Sequence, residues 1–179
     1  MGNFERRESG LFIPERGKIL AAGVYHWQHF REGEVIDEWA SPNTVVNQGL
    51  NYLLGVALQG VTPITTWYLG LFSSNYTPVS TDTAATFGGS ATEVTTLTNT
   101  SRPVWTPAAP ASQSITNSAS QATFTFNAAG NVYGAFLASA AAFNATTGTL
   151  FSAACFSAVK AVAANDQLLM TYTLSAAST

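Results

Sequence analysis

The side chains that could bind a metal ion or act as an acid or base are few and widely spaced in this sequence. His26 and His29 are its only histidines, and the residues around them alternate between apolar and polar types as a strand does. Residues three apart on a strand point to opposite faces, so the two rings do not converge on one ion without a bulge. A zinc site also needs a third protein ligand, and no cysteine lies nearby. We therefore predict no metal site and expect both histidines to be polar residues of a sheet.

Carboxylates offer equally little for acid–base catalysis. The acids at residues 34–38 lie beside a predicted turn, where solvated carboxylates are common, and only Asp82, Glu93 and Asp166 follow them. A glycoside hydrolase needs two carboxylates that face one cleft, and these three residues would have to supply both. The sequence also lacks the phosphate-binding, dinucleotide-binding and serine-nucleophile motifs. We predict that the protein is not an enzyme and needs no cofactor.

Charged residues are concentrated at the start of the chain. The chain has seven basic and ten acidic residues, which together make up only 9% of it. Twelve of these charged residues lie in residues 1–38. A typical soluble domain has about a quarter, so this chain has few ionic groups to oppose association. Acids and bases mix in the N-terminal section and the net charge is −3, which argues against nucleic-acid binding. The composition favours a protein that packs against neighbours in an assembly.

The sequence lacks paired cysteines, a secretion signal and a membrane span, and this indicates the cellular compartment of the protein. Cys155 is the only cysteine, so no internal disulfide forms, and we expect it to be a small buried residue. The first ten residues are polar and charged, without the apolar segment of a secretion signal. No stretch approaches the ~20 apolar residues of a membrane span. We expect a product of the cytoplasm that does not enter a membrane.

Residues 1–17 are predicted to form an extended N-terminal arm, followed by a β domain over residues 18–179. Glycines and a proline interrupt regular structure in the arm, and its charges alternate in sign. A tail that is only solvated would not need apolar side chains, yet the arm has four, Phe4, Leu11, Phe12 and Ile13. They are predicted to anchor the arm on another surface; the alternative interpretation is a disordered terminus.

A hairpin is predicted over residues 22–40. Tyr25, Trp27 and His29 would share one face of its first strand, and the residues between them would share the other. The polar residues 31–34 include Gly33 and predict the turn.

A single helix is predicted over residues 47–59. Asn47 is the expected N-cap and Gly60 the expected end. Apolar residues recur at helical spacing between them, at Leu50, Leu53, Leu54, Ala57 and Leu58. We expect this stripe to cover one end or one face of a sheet.

The rest of the chain is predicted to be β. Residues 65–72 have the apolar composition of a central strand, residues 73–89 predict a long loop, and residues 92–100 predict an edge strand. Further strands are predicted within residues 121–127, 132–139, 148–158 and 167–174. Six to eight strands with turn signals between them indicate an all-β fold, a β-sandwich or jelly roll with one short helix.

Most of the chain after residue 20 resembles a group of virion structural proteins of tailed phages. The resemblance lies in Val24–Trp27, the Gly33 turn, Asp37–Trp39, Asn43–Asn51 and Trp67–Phe72, with a similar closing segment at Gln167–Tyr172. Some such proteins are β-sandwich or jelly-roll decoration (cement) proteins, which bind outside the major capsid shell as small oligomers.

The resemblance implies a non-enzymatic decoration protein on the exterior of the virion. It would bind the major capsid protein and stabilise the shell by bridging neighbouring subunits, and we expect it to act as a dimer or trimer. The arm would then lie on a capsid subunit through seven candidate residues, Phe4, Arg6, Arg7, Leu11, Phe12, Ile13 and Arg16.

Three other functions stay open at this point. The first alternative is a tail- or fibre-associated protein, structural or receptor-binding, because β domains rich in Thr, Ala and Ser also occur there. The second is a glycan hydrolase carried on the virion. The third is a pilus or surface-layer subunit, which the lack of a secretion signal disfavours.

Overall fold

Two antiparallel sheets form the framework of the protein. The computed structural model describes residues 4–6, 12–14 and 19–178. The strands within these residues are β1 Phe4–Arg6, β2 Phe12–Pro14, β3 Ile19–Arg31, β4 Glu34–Pro42, β5 Thr44–Val45, β6 Trp67–Phe72, β7 Val104–Trp105, β8 Ser114–Thr116, β9 Ala122–Thr125, β10 Gly130–Ala138, β11 Leu150–Val162 and β12 Gln167–Ser178. The predicted all-β class is therefore confirmed.

The first sheet is built around the two long strands β3 and β12. Its order is β4-β3-β12-β8. β9 pairs with the first part of β12, on the same edge that β8 pairs with further along. Glu32 and Gly33, with φ angles of 51° and 85°, form the tight turn from β3 to β4. Positive φ at both positions suits the twist of a hairpin, and glycine adopts it without strain. The predicted hairpin is confirmed and is longer than expected at both ends.

The second sheet has the order β5-β11-β10-β6-β7. Its middle strands are nearly all apolar and buried, as the composition of residues 65–72 predicts. The ring of Phe136 on β10 lies over Gly70 on β6, where a Cβ atom would come within 2.2 Å of the ring. A glycine is required at this position because any side chain would displace the ring.

The main hydrophobic core takes its side chains from both sheets. Tyr25, Trp27 and Tyr172 of the first sheet pack in one cluster with Phe151 and Phe156 of the second. The alternation predicted for residues 121–127 and 167–174 is confirmed, with one residue in two pointing into this cluster. Inside the core, the Tyr25 hydroxyl lies 2.9 Å from the Ser152 hydroxyl, which donates to the Tyr172 hydroxyl at 3.1 Å. This polar chain joins the two sheets.

The helices differ from the prediction. The predicted helix 47–59 is an α-helix, α1, Asn47–Leu54, followed by a π-helical turn, Gly55–Gln59. Its N-cap is Val46 rather than Asn47, and no side chain caps it, whereas Gly60 ends it in the left-handed conformation as predicted. A second helix, α2, Ala84–Ser90, lies where a loop was predicted. Its Phe87 ring packs edge-on against Phe72 and Phe136 on the second sheet.

The predicted edge strand over residues 92–100 is wrong. This segment pairs only through single-residue bridges, Glu93 with Phe72 and Leu97 with Phe126. Val94 and Leu97 are buried in the main core, and the residues between them are exposed. The β-branched residues of this segment therefore serve core packing without forming a continuous ladder.

Candidate interaction surface

The α1 helix packs against the second sheet through Gly49 and Tyr52. Gly49 is buried, and a Cβ atom there would lie 2.4 Å from the backbone oxygen of Phe151. Tyr52 adds the second contact: its ring meets Trp67 edge-on at 5.2 Å, and its hydroxyl accepts a hydrogen bond from the Ile64 backbone N–H at 2.7 Å. The helix backbone therefore approaches the sheet on its glycine side.

The apolar stripe of this helix faces away from the body. Leu54 is 56% exposed and Leu58 is 82% exposed. We call the exposed set the leucine ridge, which consists of Leu50, Leu53, Leu54, Leu58 and Val61. The expectation that the stripe covers a sheet is therefore wrong. Contiguous exposed apolar patches mark interaction sites in soluble proteins.

Two further features single out the leucine ridge. No charged residue occurs anywhere in residues 39–81, so the ridge and the segments that flank it in sequence carry no ionic group. The ridge also crosses the junction between α1 and the π-helical turn, and π-helical turns are rare and frequent at functional sites. The surface therefore suits an apolar, uncharged partner.

The ladder of β3 and β12, called the ribbon here, continues past the end of β4. Gly23 and Asn43 are joined by two hydrogen bonds, Gly23 N–H to Asn43 Oδ1 at 2.8 Å and Asn43 N–H to the Gly23 backbone oxygen at 3.0 Å. Beyond this point β3 and β12 continue together, pairing residues 19–22 with residues 175–178. Ile19, at the end of the ribbon, is 78% exposed. β8 accompanies β12 along part of this stretch, since Ser114 pairs with Ser175 and the Ala176 N–H donates to the Gln113 backbone oxygen, so only the last two pairs of the ladder lie beyond it.

The arm contains one short ladder, in which β1 pairs with β2 and Glu5 lies opposite Ile13. The candidate residues Phe4, Arg6, Phe12 and Ile13 lie in these strands. Arg7, Leu11 and Arg16 lie outside the described residues. The role of all seven in binding stays a prediction.

The two histidines lie on opposite faces of β3, as their spacing predicts. His26 is exposed, and His29 is buried with its Nε2 atom 2.8 Å from Asp166 Oδ2. The described residues contain no group of three His, Cys, Asp or Glu side chains that could hold a metal ion. His29 is therefore part of an ionic contact inside the fold.

Asp166 is the centre of that contact. It is only 1% exposed and accepts hydrogen bonds from Arg31 Nε at 2.9 Å, from Arg31 Nη2 at 2.7 Å and from the Ala163 backbone N–H at 2.7 Å. The Arg31 guanidinium is the main reason why the pKa of Asp166 lies far below its usual range, and burial opposes this shift. The carboxylate is thus held ionised by groups that link β3 to the turn before β12. In the sequence, Asp166 stands out only as one of three carboxylates that a hydrolase could use, and its contact with Arg31 has no local signal.

The other two carboxylates after residue 38, Asp82 and Glu93, have partners of their own. Glu93 and Arg102 form a buried pair with two hydrogen bonds, at 2.7 and 2.9 Å, beside a cavity of about 70 Å³. Asp82 accepts from the Tyr76 hydroxyl at 2.8 Å and from the Val79 backbone N–H at 2.9 Å. These contacts fix loops and helix ends around α2.

Two of the three acids predicted to be solvated near the hairpin turn, Asp37 and Glu38, also have partners. Lys160 Nζ lies 2.7 Å from Asp37 Oδ2 and 4.2 Å from the centroid of the Trp39 ring. Gln28 donates to Glu38 at 2.6 Å on the outer face of the first sheet, where a groove of about 400 Å³ also borders His26 and Gln121. The groove is polar and open.

Cys155 is half-buried rather than fully buried as expected. Burial raises the pKa of its thiol, so the reactive thiolate form is disfavoured. No helix among the described residues is long and apolar enough to cross a membrane.

The sequence matches no protein-family model and no curated protein. A proposal about function must therefore come from the surfaces and contacts described above.

Proposed function

We propose that this chain is a non-enzymatic structural protein of a tailed-phage virion. Its role is that of a capsid decoration protein, which binds the outer surface of the major capsid protein shell and stabilises it by bridging neighbouring subunits. It is made in the cytoplasm of the host bacterium and acts on the capsid exterior. The observation that carries the proposal is the leucine ridge on an uncharged section of a charge-poor protein, because such a surface is suited to permanent contact.

The proposed architecture is a β-sandwich of the jelly-roll kind. Two antiparallel sheets share one hydrophobic cluster, and a polar chain of Tyr25, Ser152 and Tyr172 joins them inside it. Rigid all-β domains of this type suit a particle that must resist mechanical and chemical stress, since their backbone hydrogen bonds are shielded in paired strands.

The absence of enzyme activity is also a proposal, and the contacts of the carboxylates support it. Asp82, Glu93 and Asp166 each accept hydrogen bonds that fix local structure. A general acid and base would have to face a shared substrate site.

The arm is proposed to hold the domain on the shell. It begins at the end of the ribbon, where Ile19 is 78% exposed, and from there it can reach an adjacent capsid subunit. Apolar anchors would each contribute roughly 1.5–3 kcal/mol if fully buried, less the loss of entropy on ordering. The three candidate arginines would pair with acidic capsid groups for about 0–1 kcal/mol each where exposed.

The second candidate function is a tail- or fibre-associated protein. The open polar groove beside Gln28 and Gln121 favours it, because the amide, imidazole and carboxylate groups that line it can bind polar surface groups of a host cell. This groove lies on the outer face of the first sheet, away from the leucine ridge in sequence.

Quantitative mass spectrometry of purified virions tests the proposal. A decoration protein must be present in a simple ratio to the major capsid protein. A few copies per particle would support the tail-associated alternative, and absence from the virion would refute both.

A further inference from the structure

We propose that the groove on the outer face of the first sheet is a binding site for a neutral saccharide. The groove has a volume of about 400 Å³ and is bordered by the polar side chains of His26, Gln28, Glu38 and Gln121. Volumes of this order are typical of sites for small ligands. The inference goes beyond the decoration role, because it holds wherever the protein lies on a particle.

The register of the sheet explains why a hollow forms here. His26 on β3 lies opposite Ala40 of β4 on one side and opposite Thr171 of β12 on the other. Directly opposed residues of an antiparallel pair share a face of the sheet, so two short side chains flank the imidazole. The longer side chains of Gln28 and Glu38, which oppose each other two positions along the strands, stand beside this low region.

Two amide groups of the groove are held in place by hydrogen bonds within the protein. Gln28 Nε2 donates to Glu38 Oε1 at 2.6 Å, and Gln121 Nε2 donates to Thr171 Oγ1 at 3.1 Å. Each amide keeps its carbonyl oxygen and a second N–H for a ligand. His26 adds an exposed imidazole, whose neutral form has one donor and one acceptor nitrogen. A ligand would therefore bind without first having to order these amides.

Donors and acceptors placed side by side suit a ligand that is rich in hydroxyl groups. Each hydroxyl of a sugar both donates and accepts a hydrogen bond, and an amide matches this with its N–H and its oxygen. A sugar ring also has apolar C–H faces. Leu169 is half-buried next to Gln28 on the same face of the sheet, and Thr123 lies beyond it. This face therefore offers an apolar contact between polar side chains.

The position and charge of the groove disfavour other classes of ligand. A peptide that binds as an added strand needs the free edge of a sheet, whereas the groove lies over β3, which pairs with β4 on one side and β12 on the other. A nucleic acid needs basic side chains for its phosphates. Among the described residues that border the groove there is no lysine or arginine, and Glu38 is the only acid. Its carboxylate also disfavours an anionic ligand.

Nuclear magnetic resonance of the full-length, isotope-labelled protein tests the inference. The probes are the methyl glycosides of glucose, galactose, mannose and N-acetylglucosamine. They are added up to about 100 mM, because small ligands that exchange hydrogen bonds with water bind in roughly the millimolar range. We expect at least one glycoside to shift the side-chain amide signals of Gln28 and Gln121 and the backbone signals of the strands beneath them.

Two variants separate the groove from the rest of the sheet. Gln121→Ala removes one fixed amide and His26→Ala removes the imidazole, and both side chains are exposed, so the fold should be kept. Thr125→Ala is the control, because Thr125 lies on β9 outside the groove. We expect each groove variant to weaken binding about tenfold through the loss of a hydrogen bond, and the control to bind as the wild type does.

Three results would overturn the inference. The first is that none of the four glycosides shifts any signal. The second is that the shifts lie outside the groove. The third is that both groove variants keep the wild-type affinity while their spectra show an intact fold.

Affinity electrophoresis through gels that contain dextran or mannan distinguishes the source of the ligand. Retardation that Gln121→Ala abolishes would indicate a polysaccharide, such as that of a cell surface. Binding of the glycosides without retardation would indicate a free sugar. Both outcomes support the inference.

These results are separate from those that test the proposed function. A protein that binds a saccharide in the groove but is absent from virions leaves the inference standing and refutes the decoration role. A protein present in a simple ratio to the major capsid protein that binds no saccharide refutes the inference alone.

Discussion

Arg31 and Asp166 are 135 positions apart in sequence, and their side chains form a bidentate salt bridge. The Nε–Oδ1 distance is 2.9 Å and the Nη2–Oδ2 distance is 2.7 Å. Arg31 ends the first strand of the hairpin, and Asp166 precedes the last strand of the chain. The pair therefore fastens the turn-bearing end of β3 to β12, its neighbour in the sheet.

Replacing Asp166 with Asn should destabilise the protein by about 1–3 kcal/mol, because the buried His29 ring and the Ala163 backbone N–H lose their charged partner. Urea unfolding followed by tryptophan fluorescence gives the free energy. Glu38→Gln is the control, since Glu38 is exposed and binds only Gln28 at the surface. Equal stability of the Asp166→Asn protein and the wild type would show that the contact is dispensable.

The stability of the wild type should fall in acid. The pKa of Asp166 is lowered in the folded state, chiefly by Arg31, so its contribution is fully present above the unfolded pKa of about 3.9. It is then lost as the pH falls from that value towards the folded pKa. Unfolding free energies measured on a series of buffers should show a decline below about pH 4 that is smaller in the Asp166→Asn protein. Parallel curves for the two proteins would contradict this assignment.

A second decline is expected in alkali. Burial raises the pKa of Tyr172 to about 12, and burial likewise raises the pKa of Tyr25. A raised pKa contributes stability below the unfolded value of about 10, and this contribution is lost as the pH rises towards the folded pKa. Tyrosinate absorbance should therefore appear together with unfolding for these two side chains. Tyr172→Phe should weaken the alkaline decline while costing about 1–2 kcal/mol at neutral pH, since Asn43 and Ser152 lose a partner.

Gly49→Ala should loosen α1 from the body. Its Cβ atom would meet the Phe151 backbone oxygen at 2.4 Å, and relieving this overlap should cost about 1–3 kcal/mol. Gly89→Ala is the matched control, because Gly89 lies in α2 with nothing within 4 Å of the new Cβ atom. That change should be neutral or stabilising by up to about 1 kcal/mol. Thermal unfolding of both proteins measures the difference, and similar melting temperatures would show that the helix has room to move.

Deleting residues 1–16 should severely weaken capsid binding while leaving the β domain folded. The described contacts of the core lie at or after Tyr25, so the circular dichroism spectrum should be preserved. Co-sedimentation with purified capsids that lack the protein measures binding. Wild-type binding by the shortened protein would refute this role of the arm.

Alternation of residue types was enough to predict the strands around Tyr25, Trp27, Phe124 and Met170. Each of these side chains is buried and its neighbours are less so, because a strand that covers a core on one face must repeat every second residue. The turn followed from a separate signal, the polar residues 31–34 with Gly33, because glycine adopts the positive φ angle of a tight hairpin turn.

The orientation of α1 could not be predicted in this way. A count of apolar residues at helical spacing assumes that the largest side chains face inward, whereas here Gly49 faces inward and Leu54 faces out. The close approach of a helix backbone to Phe151 depends on where that strand lies, which is tertiary information.

The second helix had a local signal that the prediction did not use. Thr83 and Thr86 form reciprocal contacts between side chain and backbone, with Thr83 Oγ1 accepting from the Thr86 N–H and Thr86 Oγ1 accepting from the Thr83 N–H. The pattern differs from the usual capping box because threonine replaces Glu or Gln at the third helical position. The glycines at 88 and 89 also made a loop the natural prediction.

The ribbon of β3 and β12 has a practical consequence for engineering. Ser178 lies opposite Ile19 in the ladder, so any cargo attached after Ser178 would emerge beside the root of the arm and obstruct it. The Glu32–Gly33 turn lies at the other end of β3, is exposed and belongs to a tight hairpin. A peptide epitope displayed there would project from the far end of the molecule and leave the arm unhindered.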